Sequence, residues 1–435
     1  MTAPASQPSL LPVAHTSLWT PSFVLLCGVL LTFFISYHLL LPVIPAYLKT
    51  HHVSASTIGL LLSSFAVASL ASRPFAGYWV DRFQAPRLVM AGTLLFTVTT
   101  AFYTLVSPQW LNGMGWLPLR LLQGLAFAVV YTGASRWLIL LTPTKRKAEA
   151  MGIFGNIMKL AMALAPPAGI WLWSQQSKGI AANPYLWATL TGALALLWVM
   201  LLIRYTQQTN HETSQSGSSG ALTATPVTFQ WNRLIHPKAC TPGALMTTSS
   251  LVYGALIPFV PQLASELLPT ATTSTDIGWF YTVYAVTLIA SRGLTGPLSD
   301  QWASRWGRLV VALPGMLLVG VAILWLQQTH SLLPFLAATG LYGLAAGSVQ
   351  PALMAIASDK AEPERQGAAM ATFSMLNDSG IALGMFWMGW AGPTLGYATA
   401  LWGVSAIVLL GVVVGLALCL QENRSSTPLR SSCIA

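Results

Sequence analysis

Ser72-Arg73-Pro74-Phe75-Ala76-Gly77-Tyr78-Trp79-Val80-Asp81 returns later in the chain as Ser291-Arg292-Gly293-Leu294-Thr295-Gly296-Pro297-Leu298-Ser299-Asp300. Both stretches read S-R-x-x-x-G-x-x-x-D, and they lie 219 residues apart (72 to 291). The same offset pairs Gly124-Leu125-Ala126 with Gly343-Leu344-Ala345. It also pairs Arg146–Met151 (R-K-A-E-A-M) with Arg365–Met370 (R-Q-G-A-A-M). One match would mean little in so apolar a chain. Three at one offset identify a duplicated unit about half the chain long.

Each copy lies in a run of apolar segments of about 20 residues, the length that crosses a bilayer as a helix. Twelve such spans are predicted, near 20–45, 57–80, 87–107, 113–141, 149–174, 184–204, 241–262, 276–298, 308–327, 331–357, 367–391 and 396–420. The fold class is therefore all-α and polytopic: twelve transmembrane helices in two pseudo-symmetric six-helix bundles. Paired membrane repeats of this kind are the architecture of secondary transporters. Composition agrees, since 54% of the chain is hydrophobic and 7% charged, against roughly 25% charged in soluble domains. Lipid tails solvate such a surface where water would not. The four cysteines, Cys27, Cys240, Cys419 and Cys433, show no paired spacing, so neither a disulfide framework nor a zinc site is indicated.

Basic residues set the orientation. With both termini cytoplasmic, the inside loops and tail hold fourteen Lys and Arg, from Arg82 to Arg430, and the outside loops only Lys49 and Lys178. The formal charge of +10 thus reads as topology rather than as a nucleic-acid footprint. The first span lacks a basic n-region and a cleavage site and is expected to be retained. The expected division is a bundle over 1–204, a cytoplasmic linker over 205–239, a second bundle over 240–421 and a cytoplasmic tail over 422–435. The Ser/Thr/Gly-rich part of the linker reads as a flexible tether, and Phe229–Ile235 as a short interfacial helix.

With these residues in view, the chain resembles the major facilitator superfamily of secondary transporters over essentially its whole length. That family's loop after span two runs G-x-x-x-D-R-x-G-R-R. Gly77, Asp81 and Arg82 match it here, Gln84 replaces its second glycine, and Arg87 follows slightly late. The second copy offers Gly296, Asp300 and Gly307-Arg308. Span four carries Arg120-Leu121-Leu122-Gln123-Gly124, similar to the R-x-x-Q-G of proton-coupled members. Span five carries Ala165-Pro166-Pro167-Ala168-Gly169, a weakened form of the G-P-x-x-G-G of drug/proton antiporters, with Pro166 and Gly169 the matching positions. The resemblance implies a latch of Gly77, Asp81, Arg82, Gly296, Asp300 and Arg308 that holds the cytoplasmic side closed. Independently, the two glycines would permit close helix approach there; plain helix-end capping is the alternative role for the aspartates. Arg73 and Arg292, two turns deeper, either join this latch or snorkel to the interface.

Ionisable groups inside a bilayer are functional candidates by default. Asp378 lies about a dozen residues into span eleven, and Lys159 lies at the matching depth of span five, again 219 residues away (159 to 378). At 1.5 Å per residue each is roughly 16 Å from the cytoplasmic end. Both are expected to line the substrate and proton pathway, with a structural polar contact that holds the halves together as the alternative, and with separate cavity positions preferred over a direct bridge between them. Arg120 and Gln123 in span four, and Tyr37 and His38 in span one, complete the candidate pathway. Ordinary structural hydrogen bonding is the alternative for Arg120 and for His38. The motifs Pro42-Val43-Ile44-Pro45 and Pro258-Phe259-Val260-Pro261 are expected to kink or end spans one and seven at the outer side.

No Walker A, G-x-S-x-G or H-E-x-x-H motif occurs, and the expectation is a non-enzyme without metal or cofactor. The predicted function is secondary active transport at the inner or plasma membrane by alternating access. The expected cargo is a small organic or amphipathic compound, exported as protons enter. The expected partners are that substrate, protons and the lipid bilayer, with the chain as a monomer. The alternatives are export of a hydrophilic metabolite (a sugar or an opine-type metallophore) and a non-transporting membrane sensor on the same fold.

Overall fold

The structure, a computed structural model, describes residues 18–143, 146–175, 183–214, 236–268, 273–306, 309–362 and 366–425. The expected interfacial helix over 229–235 and the latch residue Arg308 lie outside the described residues. The first bundle comprises α1 (Pro21–Thr50), α2 (Ala55–Phe83), α3 (Ala85–Phe102), α4 (Leu117–Leu141), α5 (Lys147–Ser174) and α6 (Pro184–Ser214). In the second, α7 (Pro237–Leu256) passes through a 3-10 turn at Ile257–Phe259 into α8 (Val260–Leu267), which together form one span. Then follow α9 (Ser274–Trp306), α10 (Leu309–Leu326), α11 (Leu332–Asp359), α12 (Gln366–Leu395) and α13 (Tyr397–Ser425). Twelve spans therefore stand close to where hydropathy puts them. α6 continues to Ser214, well beyond the span expected to end at 204.

The helix ends follow from local sequence. Thr20 and Ser54 cap α1 and α2 by accepting from the backbone N–H of Phe23 (3.3 Å) and Thr57 (3.2 Å), the usual service of a hydroxyl at an N-cap. The tight link from α2 to α3 turns at Gln84, whose φ is +67°, a conformation that favours glycine. This is the position where the resembled loop motif carries one. The two P-x-x-P motifs behave differently from each other. α1 runs unbroken through Pro42 and Pro45, whereas the α7 span gives way to the 3-10 turn at Pro258.

The sequence repeat is a repeated packing contact. α2 packs on α4, and α9 on α11. A Cβ added to Gly124 would stand 2.3 Å from the carbonyl oxygen of Phe65, and one on Gly343 would stand 2.5 Å from that of Tyr284. Phe65 and Tyr284 are themselves 219 residues apart. Glycine at both positions lets helix backbones touch, the contact that drives association where lipid supplies no hydrophobic force.

The outer surface is apolar, with half-exposed Leu, Val and Trp side chains along most helices. Among the described residues, seven of the eight most exposed tryptophans (Trp110, Trp171, Trp187, Trp279, Trp325, Trp390, Trp402) lie toward the end that carries the α1–α2 turn. Trp19 is the exception. That clustering is the aromatic belt of a bilayer interface.

The halves meet where α2 packs on α12 and α5 on α9, with α1 also against the α7–α8 turn. At the α1–α2 end they are in contact. A Cβ on Gly59 of α2 would stand 2.4 Å from the Cα of Gly389 in α12, and one on Gly278 of α9 would stand 3.2 Å from Pro167 of α5. At the α2–α3 end they part. A Cβ on Gly77, Gly152 or Gly293 would meet nothing within 4 Å.

Candidate functional site

The parting of the halves leaves a chamber at mid-depth whose walls come from α1, α2, α4, α5, α7, α9, α11 and α12. Tyr37, Arg73, Tyr131, Lys159, Tyr253, Arg292 and Asp378 all retain partial exposure there, while the aromatic cluster above them, Tyr103, Trp116 and Tyr185, is buried.

Asp378 on α12 forms an ion pair with Arg73 on α2, joining the two halves. Asn377 Nδ2 donates to the other carboxylate oxygen at 3.1 Å. The side chains of Arg73 and Asp378 are 16% and 15% exposed, so the pair is largely withdrawn from water yet still reachable from it. The Arg73 guanidinium also lies 5.0 Å from the ring centroid of Tyr131 on α4, a cation–π distance. Among the described residues, therefore, the partner of Asp378 is Arg73 and not Lys159. Arg73 neither snorkels to the interface nor joins the loop latch. It missed assignment to the pathway because its partner arrives from the opposite half. The clue in the sequence is its depth, with Arg292 at the same depth one repeat away.

Lys159 occupies the equivalent place on α5 and faces α7 of the opposite half, with Nζ 5.3 Å from the ring centroid of Tyr253. The Tyr253 hydroxyl points to Met162 Sδ at 3.6 Å. Arg292 on α9 donates from Nη2 to Gln350 Oε1 on α11 at 2.5 Å. Gln350 is the repeat mate of Tyr131, 219 residues on, so Arg73 on Tyr131 and Arg292 on Gln350 are one contact made twice.

Arg120 and Gln123 sit together, buried toward the α1–α2 end of the first bundle. Gln123 Oε1 accepts from Arg120 Nη1 and from the Tyr103 hydroxyl, both at 2.9 Å, and its Nε2 donates to Thr100 Oγ1 at 3.0 Å. The Arg120 guanidinium lies 5.4 Å from the Phe65 ring centroid. Tyr37 stacks on Phe65 with centroids 5.3 Å apart and borders a small gap shared with Arg120 and Gln123. His38 is buried, its Nδ1 2.8 Å from the Phe34 carbonyl oxygen. That contact fixes Nδ1 as the protonated nitrogen.

At the α2–α3 end the loop latch is not engaged at its described members. Arg82 is exposed and contacts Tyr78 (3.2 Å) and Phe83 of its own helix. Gly77 faces open space rather than the close helix crossing expected of it, because the halves diverge at this end. The side chains of Asp81 and Asp300 and the surroundings of Gly296 lie outside the described residues. In the weakened antiporter motif, a Cβ on Gly169 would stand 2.4 Å from the Leu39 carbonyl oxygen. Its role here is to seat α5 on α1, and Pro166 lies inside α5 beside the Pro167 that meets Gly278.

One charged cluster, at the start of α7 and the α11–α12 corner, was not foreseen. Glu362, between α11 and α12, accepts from Lys238 Nζ at 2.7 Å and lies 2.8 Å from His236 Nε2. The hydrogen bonds from Lys238 and then His236 hold its carboxyl down at about 2. The His236 backbone N–H also donates to Thr372 Oγ1 at 2.9 Å, so the start of α7 is tied to the α11–α12 corner.

A duplicated twelve-span bundle, its halves in contact at one end and apart at the other, with an Arg–Asp ion pair in the gap, defines a polytopic membrane protein of two paired repeats. The Major Facilitator Superfamily sequence profile matches residues 25–267 and 243–432, and the chain belongs to that family. It is 29% identical over 150 residues to Multidrug resistance protein 2 of Bacillus subtilis, covering 34% of this chain and 36% of the relative. It is 25% identical over 222 residues to Quinolone resistance protein NorA of Staphylococcus aureus, covering 50% and 53% respectively. The chain thus spans about half or less of the length of these relatives. In fold it is similar to a bacterial homologue of the human lysosomal transporter Spinster, solved inward-facing and occupied. The TM-score is 0.71 at 16% identity, covering 92% of this chain and 96% of the other.

Proposed function

We propose that this protein exports small organic, amphipathic compounds across the cell membrane by alternating access, with proton entry as the driving step. The ion pair of Arg73 with Asp378 carries the reading, because it ties α2 to α12 across the chamber at mid-depth. A proton delivered to the Asp378 carboxylate makes it a neutral acid. Arg73 then keeps its charge against Tyr131 but loses its tie to the other half, which frees α2 and α12 to reorient. The relatives named for multidrug and quinolone resistance support amphipathic cargo, as does the aromatic lining of the chamber. In this reading the α2–α3 end and both termini are cytoplasmic, on the strength of the basic-residue bias. The chain works as a monomer of two bundles, 1–204 and 240–421, joined by the 205–239 linker. The loop residues Asp81, Asp300 and Arg308 close the cytoplasmic side in the opposite conformation, when the inner helix ends come together.

Purified protein in proteoliposomes, loaded with an amphipathic dye, tests this. An imposed proton gradient should accelerate dye movement, and Asp378→Asn should abolish that acceleration while leaving counterflow measurable. Dye movement indifferent to the gradient would refute proton coupling, and no counterflow of any compound would refute transport.

A further inference from the structure

The duplication places equivalent residues at the two interfaces between halves, and their chemistry is not equivalent. On the α2–α12 side, Arg73 meets an acid, Asp378. On the α5–α9 side, the equivalent arginine, Arg292, faces the α5 stretch whose equivalent of Asp378 is Lys159. A Cβ on Gly155, one turn before Lys159, would stand 3.2 Å from Arg292 Nη1, so the Arg292 guanidinium does reach α5. Two cations thus stand where the mate interface holds a cation and an anion. Among the described residues neither Lys159 nor Arg292 has a carboxylate partner within ion-pair distance. Arg292 retains a buried Nε–H without an acceptor. Among the described residues its hydrogen bond is to the neutral Gln350, and Lys159 rests on the face of Tyr253.

Two unpaired cations at mid-membrane depth are costly unless an anion joins them. We propose that the α5–α9 side of the chamber is a binding site for an organic carboxylate. The carboxylate lies between Lys159 and Arg292 and takes the place that the Asp378 side chain occupies at the mate interface. The guanidinium suits a planar carboxylate, with two parallel N–H donors, and the Lys159 ammonium supplies a point charge. The body of the ligand lies against the partly exposed ring of Tyr253, which Lys159 already covers. The expected ligand is therefore an aromatic carboxylate. This deepens the transport reading by naming a substrate class, and it rests on that reading only for the fate of the ligand, not for its binding.

The test is equilibrium binding to the full-length protein in detergent, without any gradient. The probes are benzoate, 2-naphthoate and indole-3-acetate, each beside its neutral methyl ester. The carboxylates should bind, and each ester should bind at least roughly tenfold more weakly, as expected when one partner of a withdrawn charge pair is removed. Lys159→Gln and Arg292→Gln should each weaken carboxylate binding by a similar factor and leave ester binding unchanged. Lys159→Glu supplies Arg292 with a covalent acid and recreates the Arg73–Asp378 arrangement. It should abolish carboxylate binding while raising the unfolding temperature, which separates loss of the site from loss of the fold. Equal affinity for acid and ester, carboxylate binding that survives Lys159→Glu, or failure of all three carboxylates to bind would each overturn the proposal. Carboxylates that bind in detergent but are not moved in proteoliposomes would leave this site standing and refute transport instead.

Discussion

Replacing Asp378 with Asn keeps the shape of the side chain and removes the charge that ties α12 to Arg73. Two unit charges at about 4 Å attract by about 4 kcal/mol at the effective dielectric of a partly buried site. Desolvation opposes this, and hydrogen bonds to charged groups contribute about 1.5–3 kcal/mol net. A value of roughly 2–3 kcal/mol is therefore expected for the pair, which at 1.4 kcal/mol per decade is about a 30- to 150-fold change in an equilibrium constant. The bridge crosses between halves, so that change falls on the equilibrium between the present conformation and the opposite one. Spin labels on the two halves at the α2–α3 end would read the populations directly. Asp378→Asn and Arg73→Gln should each shift them by that factor toward the conformation closed at this end. The double variant should shift them little further, giving a coupling of about 2 kcal/mol in a double-mutant cycle. The same cycle between Asp378→Asn and Lys159→Ala should be additive to within about 0.5 kcal/mol, since Lys159 lies on Tyr253 instead. Additivity between Arg73 and Asp378, or strong coupling between Lys159 and Asp378, would refute the assignment of partners.

Gly124→Ala and Gly343→Ala should each destabilise the protein by about 1–3 kcal/mol, the usual cost of overpacking, because a Cβ would stand 2.3 Å and 2.5 Å from backbone oxygens; unfolding in detergent measures it, and an unchanged midpoint would show that the crossing relaxes freely. Gln84→Gly should raise the unfolding midpoint, since it relieves a side chain at φ +67° whose strain is of order 1–3 kcal/mol; a lowered midpoint would mean the Gln84 side chain contributes more than its backbone costs. For Glu362, the carboxyl is held at about 2, below its ordinary 4.5, so its contribution to stability is present above pH 4.5 and is lost as pH falls toward 2. The wild type should therefore exceed Glu362→Gln in stability near pH 6, with the gap closing through that acid window; a gap independent of pH would dissociate the clamp from the charge of Glu362.

The spans, the duplication and the depth of Asp378 and Lys159 were legible in the sequence because each depends on properties local in the chain. Twenty apolar residues announce a helix wherever it later packs, and a fixed offset survives folding. The partner of Asp378 was not legible, since Arg73 stands beside it only once α2 and α12 meet across the chamber. The open surroundings of Gly77 were hidden for a related reason. Gly77 lies at the end where the halves diverge, and that divergence is a property of the packed bundles rather than of the local sequence. The network of Gln123 with Thr100 and Tyr103, and the tie between Glu362 and His236, join residues whose registers depend on helix crossing. Gln84 was visible as a departure from the motif, but its backbone cost becomes evident only with the φ angle.

The two halves keep their likeness where helices touch and at several positions that face the chamber, and they depart from it at the position of Asp378 and Lys159. Gly124 on Phe65 and Gly343 on Tyr284 repeat at the 219-residue offset, as do Arg73 on Tyr131 and Arg292 on Gln350. Tyr37 and Tyr253 are mates at the 216-residue offset of the two P-x-x-P motifs (37 to 253), and both line the chamber. Against that background, the change from Asp378 to Lys159 reverses the charge at one wall and leaves its arginine in place. A packing requirement would not explain it, because either side chain must reach water or a partner at that depth. Unlike charges at one interface and like charges at the other make the two walls respond to different agents. A proton can undo the first, and an anion can join the second. On the readings proposed above, one repeat used twice would thus offer separate places for a driving proton and for a carboxylate cargo, with the charge reversal from Asp378 to Lys159 as the difference that separates them.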